Sequence, residues 1–192
     1  MLRRTMLTLW VVALALPLAA HGQAATAAKP AAPATGLRAE LLTSLDDAAK
    51  KVVELAEAMP PEKLAWRPGE GVRSTSEVFM HIAGGNYFLP TFIGVQAPAG
   101  LTRDMEKETD KAKILDALRK SYEHARQAIN GVPDAELDKK IKLFGREATQ
   151  REALLLMVNH SHEHLGQAIA YARMNGVVPP WTAERQARQR SK

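Results

Sequence analysis

The chain has 192 residues, a formal net charge of +5, 46% hydrophobic and 24% charged residues, the balance of one ordinary globular domain rather than a disordered or fibrous chain. The positive charge is scattered, with no dense Lys/Arg stripe interleaved with aromatics, so no nucleic-acid partner is expected. Cysteine is absent, which excludes structural disulfides, a thiol nucleophile and a lipid-modified cysteine anchor together.

"MLRRT" and the apolar run "MLTLWVVALALPLAA" that follows it have the order of a positive n-region and an h-region, and "AHGQAATAA" supplies small residues for cleavage. The run is shorter than the ~20 residues a spanning helix needs. Residues 1–24 are therefore expected to be a cleavable signal peptide, giving a periplasmic or secreted protein with no membrane partner after cleavage. Residues 25–36 form an Ala/Pro-rich linker with nothing to bury. The folded domain is expected over 37–181, followed by a polar tail, 182–192.

Leu37 to Met59 carries Leu41, Leu45, Ala48, Val52 and Leu55 at helical spacing and stops at Pro60-Pro61. Ser74 with Glu77 forms a capping box that opens a second helix running to about Ile93. A third helix is expected from about Asp110 to Asn130, with Leu118, Tyr122, Ala125 and Ile129 inward. Thr149 with Glu152 opens a fourth, which ends near Asn175-Gly176 before Pro179-Pro180. No segment shows convincing strand alternation. The two long links, between helices two and three and over 133–148, are expected to hold short extra turns. The fold class is all-α, a four-helix bundle.

Three of the six histidines fall in "VNHSHEHLGQ". On helix four, Met157, His160, His164, Gln167 and Tyr171 recur at three- and four-residue steps, the inward stripe of a packed helix. His162 lies about 200° away from His160 at ~100° per residue and faces out. On helix two, Val78, His81, Gly85, Phe88 and Phe92 share the same rhythm, while His124 is off the core stripe of helix three. The geometry selects His81, His160 and His164. Buried imidazoles need partners, and a divalent metal satisfies one nitrogen of each. Three such ligands leave coordination positions open, the mark of a reactive site. Three neutral imidazoles suit Zn or Ni first, with Fe, Co or Mn also compatible. Gln167, Glu163, Trp66 and Phe88 are candidates to support the ligands or to touch a substrate. Three readings stay open: an enzyme acting on a small molecule, a non-catalytic metal-binding or partner-binding bundle, and a metal-free bundle with paired core histidines.

"HSHEHLGQAIAYARMNGVVPPW" resembles the last helix of the DinB/YfiT-like superfamily, with its two histidines four apart and its Gly-Gln pair. "EKLAWRPGEGVRSTSEVFMHIAG" resembles that family's loop and second helix, with a Trp-x-Pro, a Ser-led cap and a histidine. The resemblance spans about Leu37 to Trp181. It implies an up-down-down-up bundle, often a homodimer, with a divalent metal on His81, His160 and His164. It also implies a metalloenzyme of hydrolase or transferase type. Many relatives carry a second histidine before the last ligand and an arginine after it; here Glu163 and Leu165 stand there. Thiol-cofactor chemistry known among relatives transfers poorly to an exported chain.

Overall fold

The computed structural model describes residues 35–191. The expected signal peptide, 1–24, and the linker up to residue 34 lie outside the described residues. Five α-helices follow in order: α1 (Gly36–Ala58), α2 (Thr75–Phe88), α3 (Lys111–Gly131), α4 (Gln150–Met174) and α5 (Pro180–Arg190), with a two-stranded hairpin, β1 (Lys140–Leu143) and β2 (Arg146–Thr149), before α4. Both expected capping boxes form: the Ser74 and Thr149 side chains accept from the backbone N–H of Glu77 and Glu152, whose carboxylates accept in return. They set where α2 and α4 begin, and so the phase of every later side chain.

The chain folds as an all-α four-helix bundle in which α1 packs on α3 and α4, and α2 also packs on α3 and α4. Side-chain pairs give the directions. The Arg38 guanidinium near the start of α1 donates from Nε to Asp134 Oδ1 at 2.6 Å and from Nη1 to the Asn130 carbonyl at 3.2 Å. Lys111 at the start of α3 donates to the Glu57 and Met59 carbonyls at the end of α1. Hence α1 and α3 are antiparallel. Gly85 faces His160 while His81 meets His164, so α2 and α4 are antiparallel too. The N–H groups of Thr75 and Ser76 donate to the Trp66 and Leu64 carbonyls just past the end of α1, so α2 starts where α1 ends and runs back the other way. The order is up-down-down-up, with α2 and α3 parallel. A parallel pair needs a long return, which is why residues 89–110 form an extended link containing short 3-10 turns at Leu89–Ile93 and Arg103–Lys107.

The stripes of α1 and α3 are buried as their spacing requires: Leu41, Leu45, Ala48, Val52 and Leu55 against Leu118, Tyr122, Ala125 and Ile129. Each fully buried aliphatic of this kind contributes about 1.5–3 kcal/mol. Val78, Met157 and Tyr171 are buried as expected, but elsewhere the core stripes of α2 and α4 lie one position from the expected ones. Val78, Phe79, Ile82, Ala83 and Asn86 are buried on α2, and Leu154, Met157, Ser161, Leu165 and Ala168 on α4. The histidine stripes run beside the core and are half-buried. A polar junction crosses the centre: Asn86 Nδ2 donates to Ser121 Oγ at 3.2 Å, and Ser161 Oγ donates to Asn86 Oδ1 at 3.4 Å.

Two further expectations are corrected. The segment read as lacking strands holds the hairpin, pairing Ile141 with Ala148 and Leu143 with Arg146 across a Phe144-Gly145 turn. Its inner face, Leu143 and Ala148, packs with Ala153 in a small cluster of its own. Within the expected polar tail, 182–192, residues 182–190 are helical as the remainder of α5, exposed beyond the buried Thr182, and Trp181 ahead of them packs on the main core. Pro180 at the first turn costs no hydrogen bond there. Among the described residues no helix is long and apolar enough to cross a membrane.

Candidate metal centre

Antiparallel packing of α2 on α4 brings His81 opposite His160 and His164, one helical turn apart. The three ring centroids lie 4.5–5.1 Å from one another, and one ligand-capable nitrogen from each ring falls within a set spanning at most 4.8 Å. His81 Nε2 and His160 Nε2 are 3.3 Å apart. Two nitrogens bound at ~2.0–2.1 Å to one tetrahedral ion would be separated by about that distance.

The other ring nitrogens are held in two of the three cases. His81 Nδ1 lies 2.8 Å from Glu106 Oε1, and Arg73 Nε donates to Glu106 Oε2 at 2.9 Å. His164 Nδ1 lies 2.9 Å from Gln167 Oε1, whose amide donates to Tyr171 OH at 3.1 Å. With Nδ1–H donating in both rings, each Nε2 keeps its lone pair for the centre, the arrangement that fixes a ligating histidine. His160 Nδ1 is buried without a protein partner, and the ring packs directly against Gly85. A Cβ on Gly85 would come within 2.7 Å of His160 Nδ1 and 3.0 Å of Nε2, so a residue without a side chain is required. The donor set fits a divalent ion.

Electrostatics favour the neutral, ligating form. Burial pushes the His160 imidazole down to about 3, helped by the nearby His164 and His81 rings. Burial also lowers His81, outweighing the opposing pull of Glu106. Burial raises Glu106, but hydrogen bonds from Arg73 and His81 outweigh it and hold the carboxyl below its usual range. A carboxylate and two imidazoles are thus ready at neutral pH.

Of the four supporting candidates, Gln167 directly holds His164. Trp66 stands one step behind, with its ring edge-on to Tyr171 at 5.3 Å. Phe88 lines the cleft that opens over His81 and His160. Glu163 is exposed and makes no hydrogen bond or ion pair among the described residues; its position beside His164 in sequence is about 100° off the face. The carboxylate that does the supporting, Glu106, was missed. It arrives on the 3-10 turn of the long link, where "LTRDMEKETD" has no periodicity to signal it.

The two remaining histidines of the bundle lie elsewhere. His162 is exposed, its Nε2 3.0 Å from Ser44 Oγ, and His124 packs on the Tyr87 ring at 5.3 Å. Alanine at either position is expected to leave metal content at the wild-type level by elemental analysis; metal loss in either variant would show that the histidine cluster is not where the ion sits.

The sequence model of the DinB superfamily matches residues 44–168. The uncharacterised protein YjoA of Bacillus subtilis is 31% identical over 129 residues, covering 64% of this chain and 80% of that protein. A DinB-like protein from Bacillus cereus superposes with a TM-score of 0.66 at 20% identity, covering 73% of this chain and 93% of that one. YfiT from B. subtilis, described as a probable metal-dependent hydrolase with an unusual four-helix bundle topology, superposes with a TM-score of 0.60 at 17% identity, covering 78% and 94%.

Proposed function

The chain belongs to the DinB superfamily, and on that premise we propose that it is an exported, divalent-metal-dependent enzyme of hydrolase or transferase type, acting on a small molecule at the three-histidine face. The observation that carries this reading is the convergence of one nitrogen from each of His81, His160 and His164 at the edge of a cleft. The description of YfiT points the same way. Zn or Ni suits three neutral imidazoles best, with Fe, Co or Mn also compatible. When bound, the ion supplies Lewis acidity, polarising a carbonyl or phosphoryl group and lowering the pKa of a water.

The chain's own residues supply the rest. Glu106 and Gln167 orient His81 and His164 by accepting their Nδ1–H protons. Arg73 keeps Glu106 ionised and in place. Met105 and Phe88 supply apolar wall to the cleft beside the face. The export proposal rests on residues 1–24, and the homodimer proposal on the resemblance of the last helix.

A second reading, a metal-holding or partner-binding module without turnover, is favoured by one fact. Among the described residues Glu106 is the carboxylate at the face, and it is already engaged by Arg73 and His81. Elemental analysis of protein purified from its own compartment, with a screen of ester, amide and phosphoester substrates, separates these readings. About one divalent ion per chain and turnover abolished by chelation are expected. Full metal without turnover would leave the module, and a chain that takes up none of Zn, Ni, Fe, Co and Mn would refute the enzyme and the metal-holding module alike.

A further inference from the structure

The cleft beside the histidines has a volume of about 760 Å³. One rim is apolar and open: the Phe88 and Phe144 side chains are 48% and 62% exposed. Their rings stand 6.3 Å apart, with Phe92 bridging them at 5.3 and 4.7 Å. Phe144 sits in the hairpin turn at φ +49°, followed by Gly145 at +83°. Asn or Gly adopts that conformation with little strain, whereas a bulky residue is an outlier there. A strained backbone that presents an exposed aromatic ring gains little for folding. Such outliers collect where a ligand is gripped. The same cleft is lined by Arg103, which has no ion pair among the described residues, whereas Arg73 is committed to Glu106.

We propose that this rim is a substrate subsite for a soluble amphiphile, with an aromatic or acyl arm lying on Phe88 and Phe144 and an anionic group met by Arg103. The arm then presents the polar, reacting end of the molecule to the histidines. This assignment rests on the proposed function and names its substrate class. Its geometry also explains why Phe88 is left unburied: the ring that would cover it comes from the ligand.

The test titrates the zinc-loaded full chain with acetohydroxamate and octanohydroxamate by calorimetry. A buried CH₂ is worth about fourfold, so six extra methylenes, half-covered by an open cleft, should tighten binding about 60-fold. Phe144→Asn keeps the turn and removes the ring. It should cut that preference below about tenfold, with a thermal midpoint at or above wild type. A purely structural Phe144 would instead lower the midpoint and leave the preference. A second probe needs no metal: 8-anilinonaphthalene-1-sulfonate should bind the metal-free chain and lose affinity in both Phe144→Asn and Arg103→Gln. Equal affinity for the two hydroxamates, or sulfonate binding that both variants retain, overturns the subsite while the metal reading stands. If neither hydroxamate binds but the sulfonate result holds, the metal reading fails and the subsite survives.

Discussion

Replacing His164 with alanine is expected to abolish stable metal binding while leaving the helices in place. Three imidazoles share the site, and removing one leaves two nitrogens that cannot enclose an ion. Losing a group that merely orients a ligand costs ~10–100-fold in affinity, so losing a ligand costs at least that. The fold does not depend on this ring. α4 is anchored by Leu154, Met157, Leu165 and Ala168, all buried, and His164 is half-exposed beside them. Elemental analysis and helical circular dichroism on both proteins check the claim, and a variant holding a full complement at neutral pH would refute the three-histidine site. Acid should reproduce the loss, but late. His81 and His160 are depressed below the ordinary histidine range, His160 to about 3, so protons compete weakly with the ion until well below pH 6.5. The metal-free fold follows the same sign. Between pH 6.5 and about 3 the unfolded chain takes up a proton at His160 that the folded chain refuses, so stability is flat above that window and falls through it.

Gly85→Ala should separate the site from the fold. Alanine is the better helix former by about 1 kcal/mol, so α2 alone would gain. The new methyl group, however, would lie 2.7 Å from His160 Nδ1, and the ring must swing off Gly85 to escape it. That movement carries Nε2 away from its 3.3 Å approach to His81. The expected outcome is a thermal midpoint for the metal-free protein equal to or above wild type, with metal affinity reduced at least 100-fold, as for a lost ligand. Calorimetric titration with Zn alongside a thermal melt reads both, and unchanged Zn affinity would show that His160 is not a ligand.

The legible parts of the molecule were those with local rules. The capping boxes at Ser74 and Thr149 and the 3.6-residue rhythm of α1 and α3 belong to single segments and survive packing intact. The histidine stripes have the expected spacing and Val78, Met157 and Tyr171 in them are buried, but the histidines themselves lie one position off the core. Periodicity reports a face, and in a bundle whose helices each touch two neighbours the face beside the core is as periodic as the core. The hairpin was only half readable: Lys140, Ile141, Lys142 and Leu143 alternate, but Phe144 stands where Asn, Asp or Gly would signal the two-residue turn, leaving Gly145 alone to mark it. Four residues is a short run for that signal. Glu106 was not legible. It joins His81 from 25 residues away on an irregular turn, so only the folded path of the link makes them neighbours.

That path has an evolutionary consequence. Because α2 and α3 run the same way, the intervening chain must climb back along a 14-residue helix, about 21 Å at 1.5 Å per residue, and it does so over the mouth of the cleft. The bundle carries the three histidines while the climbing strap carries Leu101, Arg103, Met105 and Glu106. An exchange of residues 94–110 between relatives would therefore retune both what the cleft admits and how strongly His81 is held, while Leu89 stays in the bundle core. Selection can act on the strap as an interchangeable cassette, and divergence among members of one bundle architecture should concentrate there.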